Sequence, residues 1–295
     1  NRLRDILREF SDVLSELALD ACFSGNAEPA EQAIERAEAA QAPKCVTETL
    51  RGISELFSNK PGEAISRLRR VVDQYPTYTP AKAVLAWAYH ITYQPEEHAK
   101  MKSAVYSDIS SSRFAPESDL DQFFLLLGEF VNGNEHHLQN RIEQLETLTD
   151  RHRNWGAAYA LTARVRVQRA KIVHDAEEFK RALEEVKRAE ETIEDSPIVL
   201  DTKLFALIHM IELLEADSIN TTELRKQADQ TISSISRGEF PVAPNLVVMY
   251  DFLFGDNRIA EKKLEQLIDA QPPSSLIYVA ERLALHSSNP PTPVA

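Results

Sequence analysis

Apolar residues recur every three to four positions along nearly the whole chain, in runs separated by short polar turns. That spacing is the period of an amphipathic helix, in which one apolar stripe faces a core. It predicts paired helices over 2–23 and 27–41, 45–58 and 61–75, 80–93 and 95–107, and 117–132 and 134–149. Further pairs follow over 154–173 and 176–194, 197–216 and 221–236, and 244–254 and 257–270, with an unpaired last helix over 274–286. Asn26, Asp175 and Asp256 stand where N-caps belong, since a short side chain there accepts a hydrogen bond from the first free backbone N–H groups. Pro61-Gly62, Gly133-Asn134 and Gly255-Asp256 mark bends, and Pro76 and Pro272 close second helices. Strand-like alternation is not sustained anywhere, and the proline-rich run 289–295 cannot prolong a helix.

Helix pairs repeating at this interval predict an α-solenoid, in which each pair buries its apolar face against the next. The sharpest unit runs from Cys45 to Tyr78, with Gly52 in its first helix, Ala64 twelve residues on, then Leu68, Val71 and Pro76. Small residues at such positions let two helices approach closely, and the proline ends the second. This pattern resembles the tetratricopeptide (TPR) repeat. Ala21, Ala33 and Ala40 keep the same spacing, as do Ala170, Ala182 and Ala189. The seventh pair carries Ala260, Leu264, Leu267 and Pro272, but has Val248 where a small residue is expected. The expected fold is therefore all-α: a TPR-like right-handed superhelix of about seven hairpins plus a terminal helix. Hairpins of 1–110 would continue through 111–288 as one array, followed by the tail 289–295.

A narrower likeness covers the first hundred residues. Phe23, Gly25, Ala30, Glu31, Ala33 and Ile34, with Cys22 in place of an alanine, match an A-F-x-G-x-x-x-x-A-E-x-A-I hairpin. Leu50, Arg51 and Gly52 supply the L-R-G that follows it. The order resembles the TPR region C-terminal to the catalytic domain of some bacterial multidomain Ser/Thr protein kinases. The resemblance implies a regulatory or recognition region of a larger signalling protein. A free-standing TPR adaptor and a small-molecule sensor built on a helical solenoid remain as alternatives. The lysine and asparagine clamp by which some TPR proteins grip chaperone tails is missing, because Ala18, Cys22 and Leu50 occupy the matching places.

Composition narrows the partners. The chain has 295 residues, few glycines and a net charge of −13, which disfavours nucleic acid and anionic membrane surfaces. Cys22 and Cys45 form neither a metal motif nor a disulfide framework and read as core thiols of a reducing compartment. With no signal-type apolar opening and no stretch of membrane-spanning length, a cytoplasmic location is expected. The first residue, Asn1, points to a fragment or a processed chain.

Catalytic signatures are missing: no phosphate-binding glycine loop, no H-R-D or D-F-G, no H-E-x-x-H and no cysteine pair at zinc spacing. No enzymatic activity, metal or cofactor is expected of this chain. Many carboxylates sit on helix faces four residues from Lys or Arg, as in Glu177–Arg181 and Glu184–Arg188, where they support the helix. His136 and His137 read as surface residues at a turn, and His209 as a hydrogen-bonded core residue. One segment reverses the overall charge: from Arg151 to His174 there is no acid, but five arginines and a lysine between Arg151 and Lys171. On a helix Trp155, Tyr159, Thr162, Arg166 and Arg169 form one stripe, opposite Ala158, Leu161, Val165 and Ile172. In TPR arrays the first helix of each pair lines the concave groove. The stripe, with Tyr89 and His90 of the third pair, is therefore the expected partner-binding surface. Arginine suits bidentate capture of an acidic or phosphorylated peptide. The competing expectation is internal pairing with the nine acids between Asp175 and Asp195.

Overall fold

The computed structural model describes residues 2–92, 94–111, 114–131, 138–194, 196–237, 244–255 and 257–270. Among them are fourteen helices and no strand. They are α1 (Arg2–Phe23), α2 (Ala27–Ala39), α3 (Lys44–Phe57), α4 (Pro61–Gln74), α5 (Thr79–Ile91), α6 (Pro95–Ser110) and α7 (Asp119–Val131). There follow α8 (Leu138–Arg151), α9 (Gly156–Val173), α10 (Ala176–Glu190), α11 (Pro197–Ala216), α12 (Thr222–Arg237), α13 (Pro244–Phe254) and α14 (Asn257–Ala270). The sequence-derived helix over 274–286, the tail 289–295 and Asp256, His136 and His137 lie outside the described residues.

The chemistry of the ends is what the sequence implies. Proline opens α4, α5, α6 and α11, where its missing N–H costs nothing. The Asp175 carboxylate caps α10, accepting from the Glu177 N–H at 2.9 Å and the Glu178 N–H at 3.4 Å. Asn26 occupies the N-cap position of α2 but makes no side-chain capping bond.

Two compact units divide the chain, Asn1–Phe240 and Pro241–Ala295. In the second, α13 and α14 pack as a hairpin. In the first, consecutive helices from α1 to α12 pack on each other, and the odd-numbered helices also touch in series from α1 to α11. Close approach depends on small residues. A Cβ on Gly52 of α3 would stand 2.7 Å from Leu68 Cγ of α4, and one on Gly128 of α7 would stand 2.6 Å from the Ala83 Cβ of α5. Gly52 thus does what its spacing predicts, since Leu68 fills the space a side chain would take.

The residues that carry the kinase-region likeness meet in space. Cys22, Phe23, Ala30, Ile34, Leu50 and Gly52 are buried. Arg51 reaches Glu31 at 2.8 Å and Glu38 at 2.7 Å on α2, and Glu48 at 3.0 Å on its own helix. Arg67 of α4 extends the network to Glu48 and Glu55, each at 2.7 Å. Both motifs therefore have a structural role, fixing α2, α3 and α4 as a block.

The core is aromatic where the odd-numbered helices converge. Phe23, Phe57, Trp87, Phe123 and Trp155 come from α1, α3, α5, α7 and the N-cap of α9. Ring centroids lie 5.1 Å apart for Phe23–Phe57, 5.5 Å for Phe57–Trp87, 6.3 Å for Phe23–Phe123 and 5.3 Å for Phe123–Trp155. The first helix is consequently not an open end. It packs on α7 and α9 as well as on α2 and α3.

Candidate ligand cleft

The sequence-predicted surface is mostly interior. Trp155 is 3% exposed within the aromatic core, and Tyr159 is buried with the Arg188 guanidinium 5.7 Å from its ring centre. Thr162 is fully buried and donates its hydroxyl to the Ala158 carbonyl at 2.8 Å. Tyr89 is buried and its hydroxyl accepts from Arg69 Nε at 2.6 Å. Arg166 is buried between Glu146 of α8 and Glu178 of α10, the latter at 2.6 Å. Arg169 keeps partial exposure and pairs with the other oxygen of Glu178 at 3.2 Å. His90 is the most exposed of the seven yet still crowded by protein, its ring 5.2 Å from that of His98. Desolvation first, then the charges of His98, Arg164 and Lys102, depress its pKa to about 4.

The expected groove surface is thereby corrected at Trp155, Tyr159, Thr162, Arg166 and Tyr89. The physical reason is that α9 is covered by α8, α10, α11 and the end of α1, so its polar stripe meets protein, while Tyr89 on α5 is covered by the helices around it and held by Arg69 of α4. The two arginines meant for an acidic peptide are held by the chain's own Glu178, the internal pairing that the acids after Asp175 made available. His209 is, as read, a core residue: it is 5% exposed and one ring nitrogen lies 2.8 Å from Glu212.

A polar seam joins α1 to the start of α9. The Asp20 carboxylate accepts from the Gly156 and Ala157 N–H groups at 3.0 and 2.7 Å, capping a helix 136 residues further on. Ser196 donates to the Phe23 carbonyl at 2.7 Å. Beside them His152 lies 3.1 Å from Glu16 and 2.7 Å from Asp119, and Asp119 also accepts from Arg151 at 2.8 Å. Burial raises the Asp20 pKa from 3.8 to about 7, against the pull of its two backbone donors. Burial likewise raises Glu16 from 4.5 to about 7; His152 opposes this, and Asp119, Asp12 and Asp20 add to it.

A carboxyl with a raised folded-state pKa binds a proton that the unfolded chain has already released. Its stabilising protonation is complete below the unfolded value and is lost as pH climbs through the folded one. The window for Glu16 runs from 4.5 to about 7. Glu16→Gln, neutral at every pH, is expected to remove about 1–3 kcal/mol of the stability lost between about pH 5 and pH 8. Urea unfolding of both proteins at the two pH values measures this, and parallel pH slopes would disprove it.

Nearer the N-terminus of α1 lies an open cleft of about 700 Å³. Its floor and walls come from α1, the α2–α3 turn and start of α3, the turn before α5, and the segment 114–121 leading into α7. Polar lining is supplied by Ser11, Asp12, Ser15, Tyr78, Ser118 and Asp121, and apolar lining by Pro43, Val46, Phe114 and Leu120. Asp121 is 7% exposed; Tyr78 Oη donates to it at 3.3 Å and the Glu117 N–H at 3.2 Å. Burial raises its pKa despite these donors. Asp12 is half-buried and its pKa is also raised, by burial first and then by Asp121, Asp119 and Glu9, with Arg8 opposing. Arg8 is paired with Glu117 at 2.7 Å, an exposed bridge between α1 and the segment before α7.

Cys45, half-buried and packed against the core as expected, also lines this cleft; burial pushes its pKa up. Cys22 is the buried one, its Sγ 3.3 Å from the Leu50 carbonyl. Sequence reasoning missed the cleft because Asp12 and Asp121 belong to separate hairpins. Its only local signals were the breaks between the expected helices at 76–79 and 108–116.

Comparison with protein-family models, with curated proteins and with solved structures gives no match for this chain. Among the described residues, no three His, Cys, Asp or Glu side chains converge as a metal site. No described helix is long and apolar enough to cross a membrane.

Proposed function

We propose that the chain is a non-catalytic recognition module on a TPR-like array of helical hairpins, and that it seats a segment of a protein or peptide partner in the cleft beside α1. The observation that carries this reading is the cleft itself. At about 700 Å³, with apolar walls and a few polar groups, it has the size and lining of a ligand site. The paired helices, with odd-numbered helices stacked in series and Gly52 at a close contact, support the TPR-like architecture. The likeness of the first hundred residues supports a setting in a larger bacterial signalling protein of the Ser/Thr kinase type, in the cytoplasm. The cleft volume also supports a second reading, a sensor of a small molecule.

Ala40 lines the cleft and is only half-buried, so a larger side chain there fills space without entering the core. Ala40→Trp is expected to weaken peptides selected on an array by about tenfold or more, with the unfolding midpoint unchanged. Binding constants from fluorescence anisotropy decide the matter. Selected peptides that bind the variant as tightly as the wild type would remove the cleft as their seat.

A further inference from the structure

The chemistry of that cleft narrows what it can hold, provided that it is the binding site. Among its described lining residues are three acids, Asp12, Glu117 and Asp121, and one base, Arg8. Arg8 pairs with Glu117 at 2.7 Å on the exposed rim. Asp121 is buried, and its hydrogen bonds come from neutral donors, the Tyr78 hydroxyl and the Glu117 N–H. Asp12 stands half-buried in the same cleft, near enough to Asp121 to feel its charge. The exposed Arg8 only partly offsets the burial of Asp12, whose pKa stays raised. Carboxylates withdrawn from water are costly to ionise, and a cation brought between these two would offset that cost.

The walls say which kind of cation. Tyr75, Tyr78 and Phe114 line the cleft, with the Tyr78 and Phe114 rings edge-on at 6.2 Å. Aromatic faces attract ammonium and guanidinium groups, which shed water more readily than a small divalent ion. A hard divalent ion favours several convergent carboxylates, and among the described residues no three His, Cys, Asp or Glu side chains converge. An acidic or phosphorylated ligand would meet like charge.

We propose that the cleft binds an organic cation, its ammonium or guanidinium group placed between the Asp12 and Asp121 carboxylates and against the Tyr78 and Phe114 rings. The cation is either a small amine or a Lys or Arg side chain of a partner, and the two sources share this chemistry.

The test is calorimetric titration of the full chain with agmatine and with short alternating Lys-Gly, Gln-Gly and Glu-Gly peptides. Agmatine or the Lys-Gly peptide is expected to bind, and agmatine alone would identify a small-molecule source. Asp12→Asn should weaken the binding about tenfold, and so should raising the salt to about 0.5 M. Binding should also weaken as pH falls through the titration of Asp12 and Asp121, because only the ionised carboxylates attract a cation. Cationic probes that bind no better than the Gln-Gly peptide, or that ignore Asp12→Asn, would overturn the proposal. If the Gln-Gly peptide binds and Ala40→Trp blocks it, the cleft remains a site and only its preference for cations is lost. If no probe binds and the array peptides ignore Ala40→Trp, both readings fall.

Discussion

Phe123→Ala is expected to destabilise the first compact unit by about 3–5 kcal/mol, the range for removing a large aromatic side chain from a packed core. Phe123 is completely buried, with the rings of Phe23, Phe124 and Trp155 at 6.3, 5.7 and 5.3 Å. It belongs to α7, while Phe23 ends α1 and Trp155 caps α9. The truncation would therefore cut contacts between helices far apart in sequence, in addition to opening a cavity. The loss should appear in guanidinium unfolding followed by tryptophan fluorescence, with Trp87 and Trp155 both reporting from the cluster. A change below about 1 kcal/mol would mean that the site collapses freely and that the aromatic convergence does not hold α1 against α7 and α9.

Arg166→Glu is expected to cost about 3–5 kcal/mol as well, by a different mechanism. The Arg166 side chain is 7% exposed and that of Glu178 is 3% exposed. Reversing the charge would place two buried carboxylates together, with Glu146 beside them and Arg169, on the other Glu178 oxygen, as partial compensation. From the sequence, replacing Arg166 and Arg169 by Glu should abolish partner capture without unfolding. The structure reverses that expectation for Arg166, because its guanidinium bridges α8, α9 and α10. Paired replacement of Arg166 and Glu178 by methionine should recover most of the stability, since the two most buried charges go together and the groups that lose a partner, Glu146 and Arg169, are partly exposed. Thermal unfolding of the single and double variants checks both statements. A single variant as stable as the wild type would restore Arg166 as a free surface group.

These two cases mark where reading the residues succeeded and where it stopped. The helix over 154–173 was legible from its period, and so was the pairing of cations there with the acids after Asp175. The side of α9 that faces solvent was not. A helical wheel assigns a polar stripe to the outside, but α9 is covered on several sides, so Trp155 and Thr162 belong to the core. Gly52 and Leu68 were legible as a close contact because one hairpin holds both. His209 was legible as a core residue from its apolar neighbours alone. By contrast, the pairing of Asp20 with the start of α9 spans 136 residues and left no periodic trace.

Helix period, caps and proline positions act within a few residues of each other, through hydrogen bonds and dihedral preferences that each segment carries itself. They account for the fourteen described helices and for which neighbours form hairpins. How successive hairpins turn against one another depends on small packing rotations that accumulate over many contacts, and no single residue encodes their sum. That accumulation brings α1 against α7 and α9, buries the arginine intended for a partner, and sets Asp12 and Asp121 in one cleft.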